Sequence, residues 1–147
     1  MKYLKQFNEA NNDDYWSLYS ETKHNVTLCL VDLMDAGMIC KPEAVNLYRI
    51  DLRIDPIYGQ VIKLDDVREP ISWFLEVNSI VISKYNYTAK TSIRLVINGK
   101  TDLIFDSSEL DSKQVNDKIA FIEIKTTLTK IDTPTNGITS YFKPQFI

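Results

Sequence analysis

Apolar residues recur along the first part of the chain at helical spacing: Tyr15, Leu18, Tyr19, Val26, Cys29, Leu30, Leu33 and Met34 fall on one stripe. Asp13 or Asp14 offers an N-cap for this helix. Gly37 sits where a left-handed C-cap belongs, with Pro42 beyond it, so the spacing predicts a helix ending near Ala36. The period then changes to two. Tyr48, Ile50, Leu52 and Ile54 alternate with Arg49, Asp51 and Arg53, the pattern of a strand with one wet face. Asp55 to Gly59 reads as a turn, and Gln60 to Leu64 as a second strand. A second helix follows Asp65 and Asp66, with Val67, Ile71, Phe74, Leu75 and Asn78 on its stripe; Pro70 fits there only in a first turn.

After a connection containing Tyr and Lys, the runs Ile93–Ile97 and Thr101–Asp106 flank Asn98-Gly99, a strong hairpin signal. Ser107 to Lys118 is polar and reads as a loop. A final strand is expected from about Ile119 to Thr126. The rest, 127–147, reads as an extended tail with an aromatic end, and Tyr141, Phe142, Phe146 and Ile147 are the residues by which it would dock on this domain or on a neighbour. The expectation is one α+β domain, 1–147. Its order is helix-strand-strand-helix-strand-strand-strand, with a mainly antiparallel sheet of about five strands and two helices on one face. Residues 1–12 form a leader ahead of the first helix.

Composition narrows the classes of function. The 147 residues are 44% hydrophobic and 25% charged, as in an ordinary globular domain. The net charge of −3 has no basic stripe that could track a phosphate backbone. The apolar stretch Leu28–Met34 is too short to span a bilayer and is broken by Asp32. No secretory segment precedes Cys29 and Cys40, so they are read as reduced thiols filling core. The triplets Asn25–Thr27 and Asn86–Thr88 are accordingly not read as glycan acceptors. One histidine, His24, and two cysteines eleven positions apart cannot assemble an ordinary zinc site, and a nucleophile triad would have to use His24 with no G-x-S-x-G elbow to present the nucleophile. The four glycines are isolated, which rules out a phosphate-cradling loop or a dinucleotide fingerprint.

One constellation carries chemistry. Gly99-Lys100-Thr101-Asp102-Leu103-Ile104-Phe105, followed by Phe121-Ile122-Glu123-Ile124-Lys125-Thr126, resembles the metal-binding core of the PD-(D/E)XK nuclease superfamily. The resemblance implies Asp102 and Glu123 as ligands of Mg²⁺ or Mn²⁺ and Lys125 as the residue that activates water. Period two puts Glu123 and Lys125 on one face. The other reading of E-x-K is a pair of ordinary strand charges. The hairpin bears on this choice. A two-residue Asn98-Gly99 loop places Asp102 opposite Leu95 on the face of Ile93 and Ile97. A three-residue loop that includes Lys100 pairs Leu103 with Leu95 and Phe105 with Ile93, buries more, and is the expected register. The family's upstream helical glutamate has only Glu21 and Glu43 as candidates.

The opening Met1 to Ala10 is similar to the start of many small proteins of tailed bacteriophages, and Phe7-Asn8-Glu9 matches the hydrophobic-x-Glu triplet of cleaved capsid-targeting leaders. The helix-strand-strand outline also resembles phage α+β proteins. That resemblance implies a non-enzymatic virion component or accessory factor acting by protein contact in the virion or host cytoplasm. Its partners would be other phage or host proteins or a second copy, with no cofactor and no membrane. A metal-dependent nuclease, which would also bind nucleic acid, is the alternative. An inhibitor presenting an acidic surface to a host defence enzyme is the third reading.

Overall fold

The structure, a computed structural model, describes residues 2–114 and 118–131. Helix α1 (Lys2–Cys29) bends at Leu30 into the short α2 (Val31–Asp35). Strands β1 (Ile39–Asn46) and β2 (Arg49–Asp55) form a hairpin. Helix α3 (Leu64–Lys84) leads into β3 (Tyr87–Ile97), β4 (Lys100–Ile104), α4 (Ser107–Ser112) and β5 (Phe121–Lys130). The five strands make one open antiparallel sheet in the order β1-β2-β5-β3-β4. The α+β class and the strand number therefore match the sequence reading.

Local chemistry explains most boundaries. Gly37 adopts φ +104°, its N–H donating to Met34 O at 2.9 Å and that of Met38 to Leu33 O at 3.0 Å, which is a Schellman stop. Asp106 caps α4 by accepting from Glu109 N at 2.7 Å. The Arg68 guanidinium reaches from α3 to the carbonyls of Leu110, Asp111 and Lys113, so it satisfies the end of that same short helix.

Several expected elements differ. Helix α1 extends back to Lys2 instead of starting at an Asp13 or Asp14 cap. Gln60–Leu64 is not a strand: only Ile62 bridges, to Ile119. The fifth strand is instead β1, whose Cys40, Pro42 and Ala44 pair with Ile54, Leu52 and Ile50. Pro42 is tolerated there because β1 is an edge. Pro70 stands seventh in α3, beyond the first turn, leaving the carbonyl of exposed Asp66 without its helical donor. The polar stretch after Asp106 contains α4, and β5 runs on to Lys130.

The hairpin register also departs from expectation. Asn98 (φ +50°) and Gly99 (φ +77°) form a two-residue loop, and Leu95 pairs with Asp102 and Ile93 with Ile104. Positive φ at both loop residues is the type I′ geometry, whose twist matches the flanking strands. That backbone preference outweighs the extra apolar pairing a three-residue loop would have made.

The helices pack on one sheet face. A main core joins Val26, Leu30, Val67, Ile71 and Phe74 to strand residues such as Ile54, Leu95 and Ile122. A second cluster, with Tyr15, Leu18, Ile82, Tyr87 and Leu128, closes the other end. Between α1 and α3, Asn25 donates to Asn78 at 2.9 Å with both side chains buried, so each amide meets part of its hydrogen-bonding need inside the core. No helix among the described residues is long and apolar enough to cross a membrane.

Candidate functional site

The three residues of the nuclease-like constellation are not brought together. Opposite residues of an antiparallel pair share a face, and Leu95 stands opposite both Asp102 and Ile122. Asp102 therefore points to the helix-covered side, where Lys113 pairs with it at 2.9 Å. Glu123, next to Ile122, points to the other side and pairs with Arg94. Lys125 shares that side with Glu123, as period two requires, and lies opposite Asp51 and Ser92. Of the upstream candidates, Glu43 also lies opposite Asp51. Glu21 on α1 accepts from Tyr85 Oη and Lys84 Nζ, which hold its carboxyl below its ordinary value. His24 is exposed on α1. No group of three or more His, Cys, Asp or Glu residues able to hold a metal occurs among the described residues.

The uncovered side of the sheet is a lattice of alternating charge. Arg49 pairs with Asp51 at 2.6 Å and Arg53 with Asp55 at 3.0 Å, while the Arg53 guanidinium lies 3.8 Å from the centre of the Phe121 ring. These pairs mutually neutralise a face that would otherwise present a row of cations. Solvent-exposed pairs of this kind contribute little to stability, about 0–1 kcal/mol each.

A larger feature lies on the helical side. Strand β3 is eleven residues long and β4 only five, and β4 pairs with β3 from Ile93 onward. Tyr87–Ser92 pairs with β5 alone. Alternate N–H and C=O groups of this half-strand point away from β5, and no strand of the described residues takes them. Beside this open edge runs a groove of about 480 Å³, with Leu75, Ser79 and Ile82 of α3 on one wall, Ala89 and Thr91 on the other, and Phe105 at the far end. Phe105 is 64% exposed although it borders an apolar wall. Buried Asn78 and Thr126 add polar groups to the lining. At the start of β3, Lys130 donates to Tyr85 O and Asp14, both at 2.8 Å, with its ammonium 4.6 Å from the centre of the ring of Tyr87, a groove residue.

Sequence reasoning missed this feature because Tyr87–Ser92 read as a connection. A signal was present: Tyr87, Ala89, Thr91 and Ile93 alternate with Thr88, Lys90 and Ser92, which carries the strand's period back to Tyr87. Tyr141, Phe142, Phe146 and Ile147, the expected docking residues, lie outside the described residues.

Comparison of the chain with family models, curated proteins and solved structures found no significant match.

Proposed function

We propose that this protein is a non-enzymatic binding module that takes an extended segment of a partner protein along the open edge of β3. The observation that carries this reading is the coincidence of a half-strand whose second edge no described strand takes with an apolar groove on the same side. Added strands gain affinity from main-chain hydrogen bonds and specificity from pockets that receive alternate side chains, and this site has both parts. The separation of Asp102 from Glu123 across the sheet weighs against those two carboxylates as joint ligands of one metal ion. A role as a phage virion component or accessory factor rests on the resemblance of Met1–Ala10 and is compatible with such contact.

The test is selection of random-sequence displayed peptides on the full-length chain, repeated on Ala89→Trp and on Ser79→Trp. These two variants fill the groove from opposite walls at exposed positions. Recovered peptides are expected to show period-two apolar patterning and to lose at least about tenfold in affinity on either variant. Peptides that bind wild type and both folded variants equally, or recovery of none, would overturn the reading.

A further inference from the structure

We infer that the partner strand taken at the open edge of β3 carries a tyrosine whose hydroxyl is received by Asn78 and Thr126 on the groove floor. The inference rests on the reading of the groove as the binding site and names the side chain that the groove selects.

Asn78 and Thr126 are only 5% and 9% exposed, yet both line the groove. Asn78 Oδ1 accepts from Asn25, whereas Asn78 Nδ2 and the Thr126 hydroxyl have no hydrogen-bond partner among the described residues. Neither group is sealed away: Thr22 Oγ1 is the one enclosed side-chain polar atom without a partner among those residues. Asn78 and Thr126 also border a cavity of about 10 Å³ behind the floor, so they stand at one spot of it. An apolar groove with a polar spot on its floor favours an occupant that brings the matching polar group, because covering the spot with hydrocarbon strands both groups.

Reach and charge narrow that group. Thr91 of β3 pairs with Thr126 of β5, and both lie on the helical side. A strand added to the open edge of β3 lies two strand spacings from Thr126, about 9.5 Å. A side chain that crosses Thr91 and ends in a hydrogen bond must therefore bridge roughly 7 Å. Tyrosine is long enough; serine, threonine and asparagine stop short. Its ring would pack against Leu75, Ile82 and Ile93, and its hydroxyl can accept from Asn78 Nδ2 while donating to Thr126 Oγ1. Asp106 is the one charged residue among the described lining, and its carboxylate already accepts from Glu109 N and Ser108 Oγ. A lysine, arginine or carboxylate tip at the floor would thus be buried without a counter-ion.

The test takes the peptides selected on the full-length chain, replaces the tyrosine at their recurrent inward position by phenylalanine, and measures both forms on wild type, Thr126→Val and Thr126→Ser. Valine keeps the branched shape and removes the hydroxyl; serine keeps the hydroxyl. On wild type the phenylalanine form is expected to bind at least about tenfold more weakly. On Thr126→Val that ratio is expected to shrink at least about threefold, with Asn78 left as the hydroxyl's partner and the phenylalanine form bound as well as on wild type. Thr126→Ser is expected to retain the preference. Selected peptides without a recurrent tyrosine would overturn the inference, as would a preference that Thr126→Val leaves unchanged or that Thr126→Ser loses equally. Loss of both peptide forms on Thr126→Val would place the residue in the fold and not in recognition, and overturn it too. The two levels separate cleanly. Peptides that Ala89→Trp and Ser79→Trp abolish, but that show no tyrosine preference, leave the binding module standing and remove the tyrosine site; absence of groove-dependent peptides removes both.

Discussion

Asp102 and Glu123 stand on opposite faces of one sheet, Asp102 beside Lys113 under the helices and Glu123 beside Arg94 on the uncovered side. A divalent cation held by both would have to pass through the β-ladder. Titration with Mn²⁺ is therefore expected to show no saturable binding that depends on both carboxylates. Binding abolished by either Asp102→Ala or Glu123→Ala, in variants of unchanged fold, would contradict this placement.

Two glycines separate conformational strain from steric conflict. At Gly99 (φ +77°) an added Cβ meets nothing within 4 Å, so Gly99→Ala carries the left-handed backbone cost alone, about 1–2 kcal/mol. At Gly37 (φ +104°) the Cβ would also meet Ile57 Cγ1 at 3.3 Å, so Gly37→Ala is expected to destabilise more. Denaturant midpoints of the two variants check the order, and a larger loss at Gly99 would refute it.

Arg68 ties α3 to the closing carbonyls of α4. Arg68→Ala leaves those carbonyls without a charged donor and is expected to cost about 1.5–3 kcal/mol, with faster exchange across 107–113. Arg68→Lys, with one point of donation in place of a fork, should recover only part of the loss. Full recovery by lysine would show that charge alone suffices.

Acid should weaken the fold through two carboxyls held below their ordinary values. Glu21, normally 4.5, is lowered first by the Tyr85 hydroxyl and then by Lys84; Asp106, normally 3.8, is lowered by the Glu109 N–H and then the Ser108 hydroxyl. Because each folded-state value lies below the unfolded one, the stabilisation is complete above the ordinary value and is lost as pH falls through the folded value. Melting temperature is thus expected to drop on the acid side of about pH 4.5, and less steeply in Tyr85→Phe. A Tyr85→Phe profile parallel to wild type would exclude that contribution.

Thr22 is buried, and its hydroxyl has no hydrogen-bond partner among the described residues. Thr22→Val keeps the shape and removes the unmatched group, so a gain of about 1 kcal/mol is expected in chemical denaturation. Asn78→Ala strands its partner Asn25 in the same layer and should cost about 1–3 kcal/mol. A loss in the valine variant would show that the hydroxyl is satisfied in solution.

Much of the fold was legible because period and punctuation agree. The stripe from Val67 to Asn78, the alternation from Ile50 to Ile54 and the Asn98-Gly99 turn all appear where the pattern placed them. The failures have physical causes. In β1, Lys41, Pro42, Glu43 and Ala44 are weak strand formers, and pairing with β2 holds the segment extended. The short apolar run at Val61 and Ile62 looks like a strand but meets a single bridging partner. The expected hairpin register differs because turn geometry outweighed apolar pairing and turned Asp102 to the helical side. The groove was least legible, because the edge that β4 leaves open, with no other described strand beside it, arises from the unequal lengths of β3 and β4, a relation between strands that neither strand's own pattern carries.

The most direct test of the binding account is amide chemical-shift mapping of a selected extended peptide on the full-length chain. The account expects shifts confined to Tyr87–Ile93, to the α3 residues around Leu75–Ser83 and to Phe105, with none at Arg53, Arg94 or Lys125. Shifts centred on that charged face, or spread without a groove-centred maximum, would contradict it.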